Sequence, residues 1–188
     1  MKAFFDLVRR VVESFGAVGL DYMFTGALAA SYYGVPRTTM DVDVVVEVTE
    51  EEVRSKLVSA LKQAGLVVDG ERVDAAIESG YGIVTFRDAE TPYNVDVIVS
   101  DRKLERRAGS ILGLATFYQS PEDLILAKLR MIKATVPRER ALKDEDDVKA
   151  ILRFTEVDIG AVKEGARRCN TLPILEGIIG GSFKNDES

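Results

Sequence analysis

Apolar residues recur at helical spacing from the first turn of the chain. Phe4, Phe5, Val8, Val11, Val12 and Phe15 fall on one side of a helix over residues 2–15, and Gly16 and Gly19 close it. Residues 20–24 read as a short strand, and residues 26–33 as a helix of small residues stopped by Gly34-Val35-Pro36. The β-branched run at 42–48 predicts a strand. Thr49 is placed to cap a helix reaching about Gln63, with Glu50, Glu51 and Glu52 in a first turn where the helix dipole favours acids. A short strand at 66–68 and a short helix at 73–78 follow. Residues 81–87 and 93–99 predict two strands joined as a hairpin through 88–92, and residues 111–117 predict one more strand. Ser120 followed by Pro121, Glu122 and Asp123 is a helix start. Helices follow over 121–135, 140–154, 158–169 and 172–179, and a polar tail runs from Gly180.

This order predicts an α+β fold. Residues 1–118 form a mixed β-sheet core with flanking helices, residues 119–180 a C-terminal helical bundle packed on that core, and residues 181–188 a disordered tail. A chain of 188 residues with 46% apolar content is long enough, and apolar enough, to bury such a core. No apolar run approaches the roughly 18 residues that span a bilayer. The opening segment mixes charges among its apolar residues, so it reads as an amphipathic helix rather than a signal peptide, and no membrane partner is expected.

The chain has 1 cysteine, Cys169, and 0 histidines. An internal disulfide, a His general base, a Ser–His–Asp triad and a Cys/His zinc site are all excluded. A reducing cytoplasm is the expected setting. Any metal site has to be built from carboxylates, which suits Mg²⁺ or Mn²⁺. The net charge of −6 argues against broad nonspecific binding to nucleic acid. Two local basic runs, Arg102, Lys103, Arg106 and Arg107, and Arg138, Arg140 and Lys143, read either as solvated faces or as contacts for an RNA or a partner protein.

The candidate chemistry lies in the strands. Asp is depleted in strands, yet Asp41 and Asp43 open a run of valines at i and i+2. Alternation points both the same way, roughly 7 Å apart, close enough to share a cation. Asp96 sits in a second valine strand, Asn94-Val95-Asp96-Val97-Ile98-Val99. If the two strands are neighbours, three carboxylates share one face and can hold two Mg²⁺ or Mn²⁺ ions of the kind that clamp a phosphoryl transfer. Upstream, Thr25-Gly26-Ala27 carries a strand through a turn into a helix, leaving backbone N–H groups for a phosphate. Arg37, shortly before the acids, is a further phosphate-binding candidate. In the helical part, Lys128 falls among Leu124, Ile125, Leu129 and Ile132. Asp144 lies on the apolar face of the next helix with Val148, Ile151 and Leu152, and Asp147 at its edge. Lys128 is therefore read either as the partner of Asp144 or as a phosphate ligand.

Strand, glycine turn, helix, Asp-x-Asp strand and a third acid on a later strand together resemble the nucleotidyltransferase signature of the DNA polymerase beta superfamily. Gly34-Val35-Pro36-Arg37-Thr38-Thr39-Met40-Asp41-Val42-Asp43 looks like the AbiEii-type toxin group and related bacterial and archaeal members. Ser120-Pro121-Glu122-Asp123-Leu124 and Lys143-Asp144-x-x-Asp147 resemble its helical part, so the likeness spans about residues 20–155. The resemblance implies an enzyme that uses Mg²⁺ or Mn²⁺ to move a nucleoside monophosphate from a nucleoside triphosphate to an RNA or protein hydroxyl, as the toxin of a toxin–antitoxin pair. It assigns metal binding and catalysis to Asp41, Asp43 and Asp96. It assigns nucleotide binding to Thr25, Gly26, Ala27, Arg37 and Lys128, with Lys143, Asp144 and Asp147 in support. Ala27 departs from the usual Gly or Ser of the turn. That departure keeps open a noncatalytic nucleotide-binding module, and an antitoxin or partner subunit that retains the fold is a separate expectation.

Overall fold

The valine strands assemble into a six-stranded mixed sheet in this computed structural model, which describes residues 2–49, 52–79 and 81–182. In chain order the elements are α1 (Lys2–Ala17), β1 (Tyr22–Phe24), α2 (Gly26–Tyr33), β2 (Asp41–Glu47), α3 (Val53–Gln63), α4 (Gly70–Glu78), β3 (Tyr81–Arg87), β4 (Asn94–Ser100), β5 (Arg106–Ile111), β6 (Leu114–Gln119), α5 (Pro121–Ala134), a 3₁₀ turn (Arg138–Ala141), α6 (Leu142–Phe154), α7 (Ile159–Arg168) and α8 (Leu172–Ser182). The fold is α+β. The chain divides into two units. One comprises the chain up to Leu28 with Thr38–Gln119, the other Ala29–Arg37 with the chain from Ser120 on.

In the first unit the strand order is β3-β4-β2-β1-β6-β5. The β2·β4 and β1·β6 pairs are parallel, and β1·β2, β3·β4 and β5·β6 are antiparallel. Alternation assigns the two faces of the β3-β4-β2 part. Val84, Phe86, Val95, Val97, Val99, Val42, Val44 and Val46 are buried together. The apolar sides of α1, α3 and α4 supply the rest of this core, with Leu7, Val8, Val11, Phe15, Leu57, Leu61 and Val73 buried. Helix α1 ends in a Schellman motif, in which Leu20 N donates to Phe15 O and Gly19 N to Gly16 O, both at 3.1 Å. Gly19 takes φ +65°, where a side chain would be strained.

One charged hub sits in this core. Arg10 reaches from α1 to the Asp88 carboxylate (2.9 Å) and to the Ala64 carbonyl behind α3 (2.5 Å). Asp88, whose side chain is fully buried, also accepts from the Thr91 hydroxyl at 2.5 Å. The hub ties α1, the end of α3 and the β3–β4 connection to one another.

Several elements depart from the sequence pattern. Residues 111–117 are not a single strand. They span the turn and half of a β5–β6 hairpin, with Leu112 at φ +53° and Gly113 at φ +78°. Both central residues in the left-handed region make a tight two-residue hairpin, and a leucine there hides the turn from inspection of the sequence. The expected strand at 66–68 is reduced to one bridge, Leu66 to Asp88. Thr49 does not cap α3, because its hydroxyl bonds the Glu47 carboxylate (2.9 Å) and the helix begins after Glu52. Glu50 and Glu51 lie outside the described residues. Helix α4 starts earlier than expected because Asp69 caps it, accepting from Glu71 N and Arg72 N. Residues 138–141 form the 3₁₀ turn before α6. Helix α8 continues past Gly180 to Ser182, and the remaining tail lies outside the described residues.

The second unit is helical. Ser120 caps α5 by accepting from Asp123 N at 3.2 Å, with Pro121 in the first turn. Helix α5 packs against α6, α7 and α8 through Leu124, Ile125, Leu129 and Ile132, all buried. Among the described residues no helix is long and apolar enough to cross a membrane.

Asp88→Ala strands the Arg10 guanidinium and removes the acceptor of Thr91. Arg10 keeps some access to water, so the loss of stability in urea unfolding is expected at about 2–3 kcal/mol, below the cost of breaking a fully buried pair.

Candidate active site

The parallel β2·β4 ladder determines where the acids stand. Asp43 lies opposite Asp96, and Asp41 lies opposite Asn94. Their neighbours Val42, Val44, Val95 and Val97 fill the core, so the three acids share the other, partly exposed face. Asn94 donates its side-chain amide to Asp41 Oδ1 at 3.3 Å. Thr39 brackets the start of β2, its hydroxyl accepting from Asp41 N (3.2 Å) and donating to Asp41 O (3.1 Å).

Asp96 Oδ1 is buried with no hydrogen-bond partner. A carboxylate oxygen removed from water without a donor is costly, and a cation relieves that cost. Among the described residues no three Asp, Glu or Cys side chains are already gathered into a metal-holding group. The strands thus supply a face, a spacing and an unsatisfied oxygen rather than a closed cage. That suits Mg²⁺, which binds through one or two carboxylates plus waters and substrate phosphates. The all-oxygen donor set fits Mg²⁺ or Mn²⁺.

The turn after β1 abuts the same acids. Thr25 N donates to Asp43 O at 3.0 Å, and the Thr25 hydroxyl donates to Gln119 Oε1 at 2.5 Å. Gly26 opens α2 at φ +57°, and a Cβ built there would stand 2.7 Å from Asp43 Cγ. Glycine is therefore required twice, by its backbone angle and by the carboxylate packed against it. Ala27 is buried, so position 27 adds packing and no hydroxyl. Sequence patterning missed Asn94 and Gln119. The signal for Asn94 was its place two residues before Asp96, on the same side of the strand.

In the second unit, Lys128 Nζ lies 3.0 Å from Asp144 and 2.6 Å from Asp147. Arg37 grips Asp147 through Nε and Nη2, each at 3.0 Å. Of the two expectations for Lys128, the interhelical pair is present, and it extends to Asp147 and Arg37. Lys143 is exposed and outside this network. Of the basic runs, Arg106 pairs with Asp21 (2.5 Å) and stacks on Phe117. The side chains of Arg138 and Arg140 lie outside the described residues.

No protein-family model and no curated protein matches this sequence. Solved structures do match over nearly the whole chain. ANT(2″)-Ia in complex with adenylyl-2″-tobramycin superimposes with a TM-score of 0.65 at 14% identity, over 90% of this chain and 98% of that one. A nucleotidyltransferase-like protein from Paracoccidioides brasiliensis gives 0.57 at 16% identity, over 94% and 92%. This is the nucleotidyltransferase fold. Within it, the acid face and the Gly26 turn stand together at one end of the central strands.

Two substitutions probe the arrangement. Gly26→Ala is expected to cost about 1–3 kcal/mol through strain and collision with Asp43. In an Asp43→Ala background the cost should shrink, giving a coupling of at least about 0.5 kcal/mol in a double-mutant cycle of thermal melts. Lys128→Met leaves Asp144 and part of Asp147 uncompensated, and should lower stability by about 2–4 kcal/mol in urea unfolding. An unchanged stability would mean that the network is not structural.

Proposed function

We propose that this chain is a metal-dependent nucleotidyltransferase that moves a nucleoside monophosphate from a nucleoside triphosphate onto a hydroxyl of an RNA or protein. The observation that carries the proposal is the in-register face of Asp41, Asp43 and Asp96 beside the Gly26 turn, with Asp96 Oδ1 lacking a partner. Asp41, Asp43 and Asp96 would hold the divalent ions. Those ions, when bound, neutralise charge on the triphosphate and lower the pKa of the attacking hydroxyl. Backbone N–H groups at the start of α2 hold phosphate oxygens, aided by the helix dipole. Thr25, tied to Asp43 and Gln119, keeps that turn in place. Asp96 accepts the proton of the acceptor hydroxyl as its oxygen bonds to the α-phosphorus. The bond between the α-phosphorus and the bridging oxygen breaks, and pyrophosphate leaves with the electron pair. ANT(2″)-Ia, seen with adenylyl-2″-tobramycin, is an instance of this fold holding a nucleotidylated compound.

The Pro36-Arg37-x-Thr39 approach to the acids supports extending the proposal to a cytoplasmic toxin restrained by an antitoxin partner. Ala27 favours a second reading, a noncatalytic module that binds nucleotide and Mg²⁺ without turnover.

Asp43→Asn decides between them. It keeps the shape of the side chain and removes one charge from a face of three carboxylates. The variant should melt no lower than the wild type. It should lose Mg²⁺-dependent transfer of label from a nucleoside triphosphate to cellular RNA or protein by roughly 100-fold or more. Wild-type protein that binds nucleotide yet transfers no label to either acceptor supports the noncatalytic module. A much lower melting point for the variant makes Asp43 a structural residue.

A further inference from the structure

The antiparallel β3·β4 ladder extends the acid face by one strand. Thr85 lies opposite Asp96, which lies opposite Asp43; Arg87 lies opposite Asn94, which lies opposite Asp41. Ile83, opposite Ile98, continues the row. Ladder partners project to the same face. Burial agrees, since Ile83, Thr85 and Arg87 are exposed while Val84 and Phe86 between them are buried. Two strand spacings put the Cα of Arg87 about 10 Å from that of Asp41, within reach of an extended arginine side chain.

Several cations of the chain already hold carboxylates. Arg10, Arg37, Arg54, Arg106 and Lys128 each hold a carboxylate. Arg87 makes no ion pair among the described residues, although it shares a face with three acids, and it leaves Asp96 Oδ1 without a partner. A guanidinium that neutralised the acids would compete with metal. One held a strand away is available for an anion from outside.

On the function proposed above, the strand order β3-β4-β2-β1 is also an order of roles. The Gly26 turn follows β1, on the donor side. The acids lie on β2 and β4. In an in-line displacement the attacking group approaches from the side opposite the leaving group, and β3 occupies that side. We propose that β3 forms the acceptor shelf and that Arg87 selects acceptors carrying a phosphate beside the reacting hydroxyl, which presupposes the catalytic function proposed above. Arginine matches a phosphate with paired donors. Thr85, beside Asp96, is placed to hydrogen-bond the acceptor hydroxyl. A polycationic acceptor such as tobramycin would meet repulsion at Arg87.

The test uses the full chain with Mn²⁺ and a non-hydrolysable ATP analogue, and follows the anisotropy of a short fluorescent single-stranded oligoribonucleotide. Arg87→Glu should weaken its binding by roughly tenfold or more, and Arg87→Lys, which keeps the charge and loses the paired donors, should fall between that variant and the wild type. Arg72→Glu makes the same charge change on exposed α4 and should leave the affinity as it is. Tobramycin should not compete, and ribose 5-phosphate separates the two sources of the phosphate. Competition by ribose 5-phosphate identifies a small phosphosugar as sufficient. Binding of the oligoribonucleotide without that competition identifies an RNA end as the source of the phosphate. Wild-type affinity in Arg87→Glu, or tobramycin displacing the probe better than ribose 5-phosphate, overturns the assignment. Separate titrations with Mn²⁺ and with the analogue alone read the donor side. If both bind and the oligoribonucleotide does not, the acceptor shelf fails alone. If neither binds, the catalytic function fails and the shelf with it.

Discussion

The parallel register between β2 and β4 is the constraint on which the candidate site depends. It sets Asp43 beside Asp96 and Asp41 beside Asn94 while their valine neighbours point into the core. A slip of one residue would drive carboxylates into an apolar interior and valines into water. Hydrophobic burial therefore enforces the placement of the charges. The acids do not stabilise their own proximity; it follows from Val42, Val44, Val95 and Val97. The Gly26 turn is subject to the same constraint, because it packs on Asp43 and bonds to its carbonyl through Thr25.

Two sets of charged groups in the protein contrast with each other. Arg10 with Asp88, and Lys128 and Arg37 with Asp144 and Asp147, are networks in which each buried charge meets an opposite one. Such pairs fix geometry more than they add stability. The acid face is the other set. Its carboxylates are like-charged, and one oxygen of Asp96 is buried without a partner. A buried oxygen left unsatisfied marks where something else is to bind. An ion carrying substrate phosphates would supply the missing charge.

Much of this was legible in the sequence because it rests on short-period patterns. The Asp-x-Asp opening of a valine strand implies a shared face through alternation alone, and Asp96 repeats the pattern. What sequence could not supply depends on contacts between elements. Lys128 on an apolar helix face needs a partner, but the choice between a phosphate and the α6 carboxylates is made by where α6 docks on α5. Asn94 and Gln119 are single polar residues at strand ends and carry no periodic signal, so only the strand pairing reveals their partners. The β5–β6 hairpin escaped notice because its turn is Leu112-Gly113, and leucine seldom takes a positive φ. Without that turn signal, the start of β5 reads as part of a basic run.

The central claim is that the β2–β4 face is a binding site for divalent cations that is completed by nucleotide. Titration of the wild-type chain with Mn²⁺, followed by the electron paramagnetic resonance signal of the free ion, tests it most directly. With a saturating non-hydrolysable nucleotide triphosphate, about two ions should bind per chain, and without it the binding should be weaker. Absence of Mn²⁺ binding in the presence of saturating nucleotide would contradict the account.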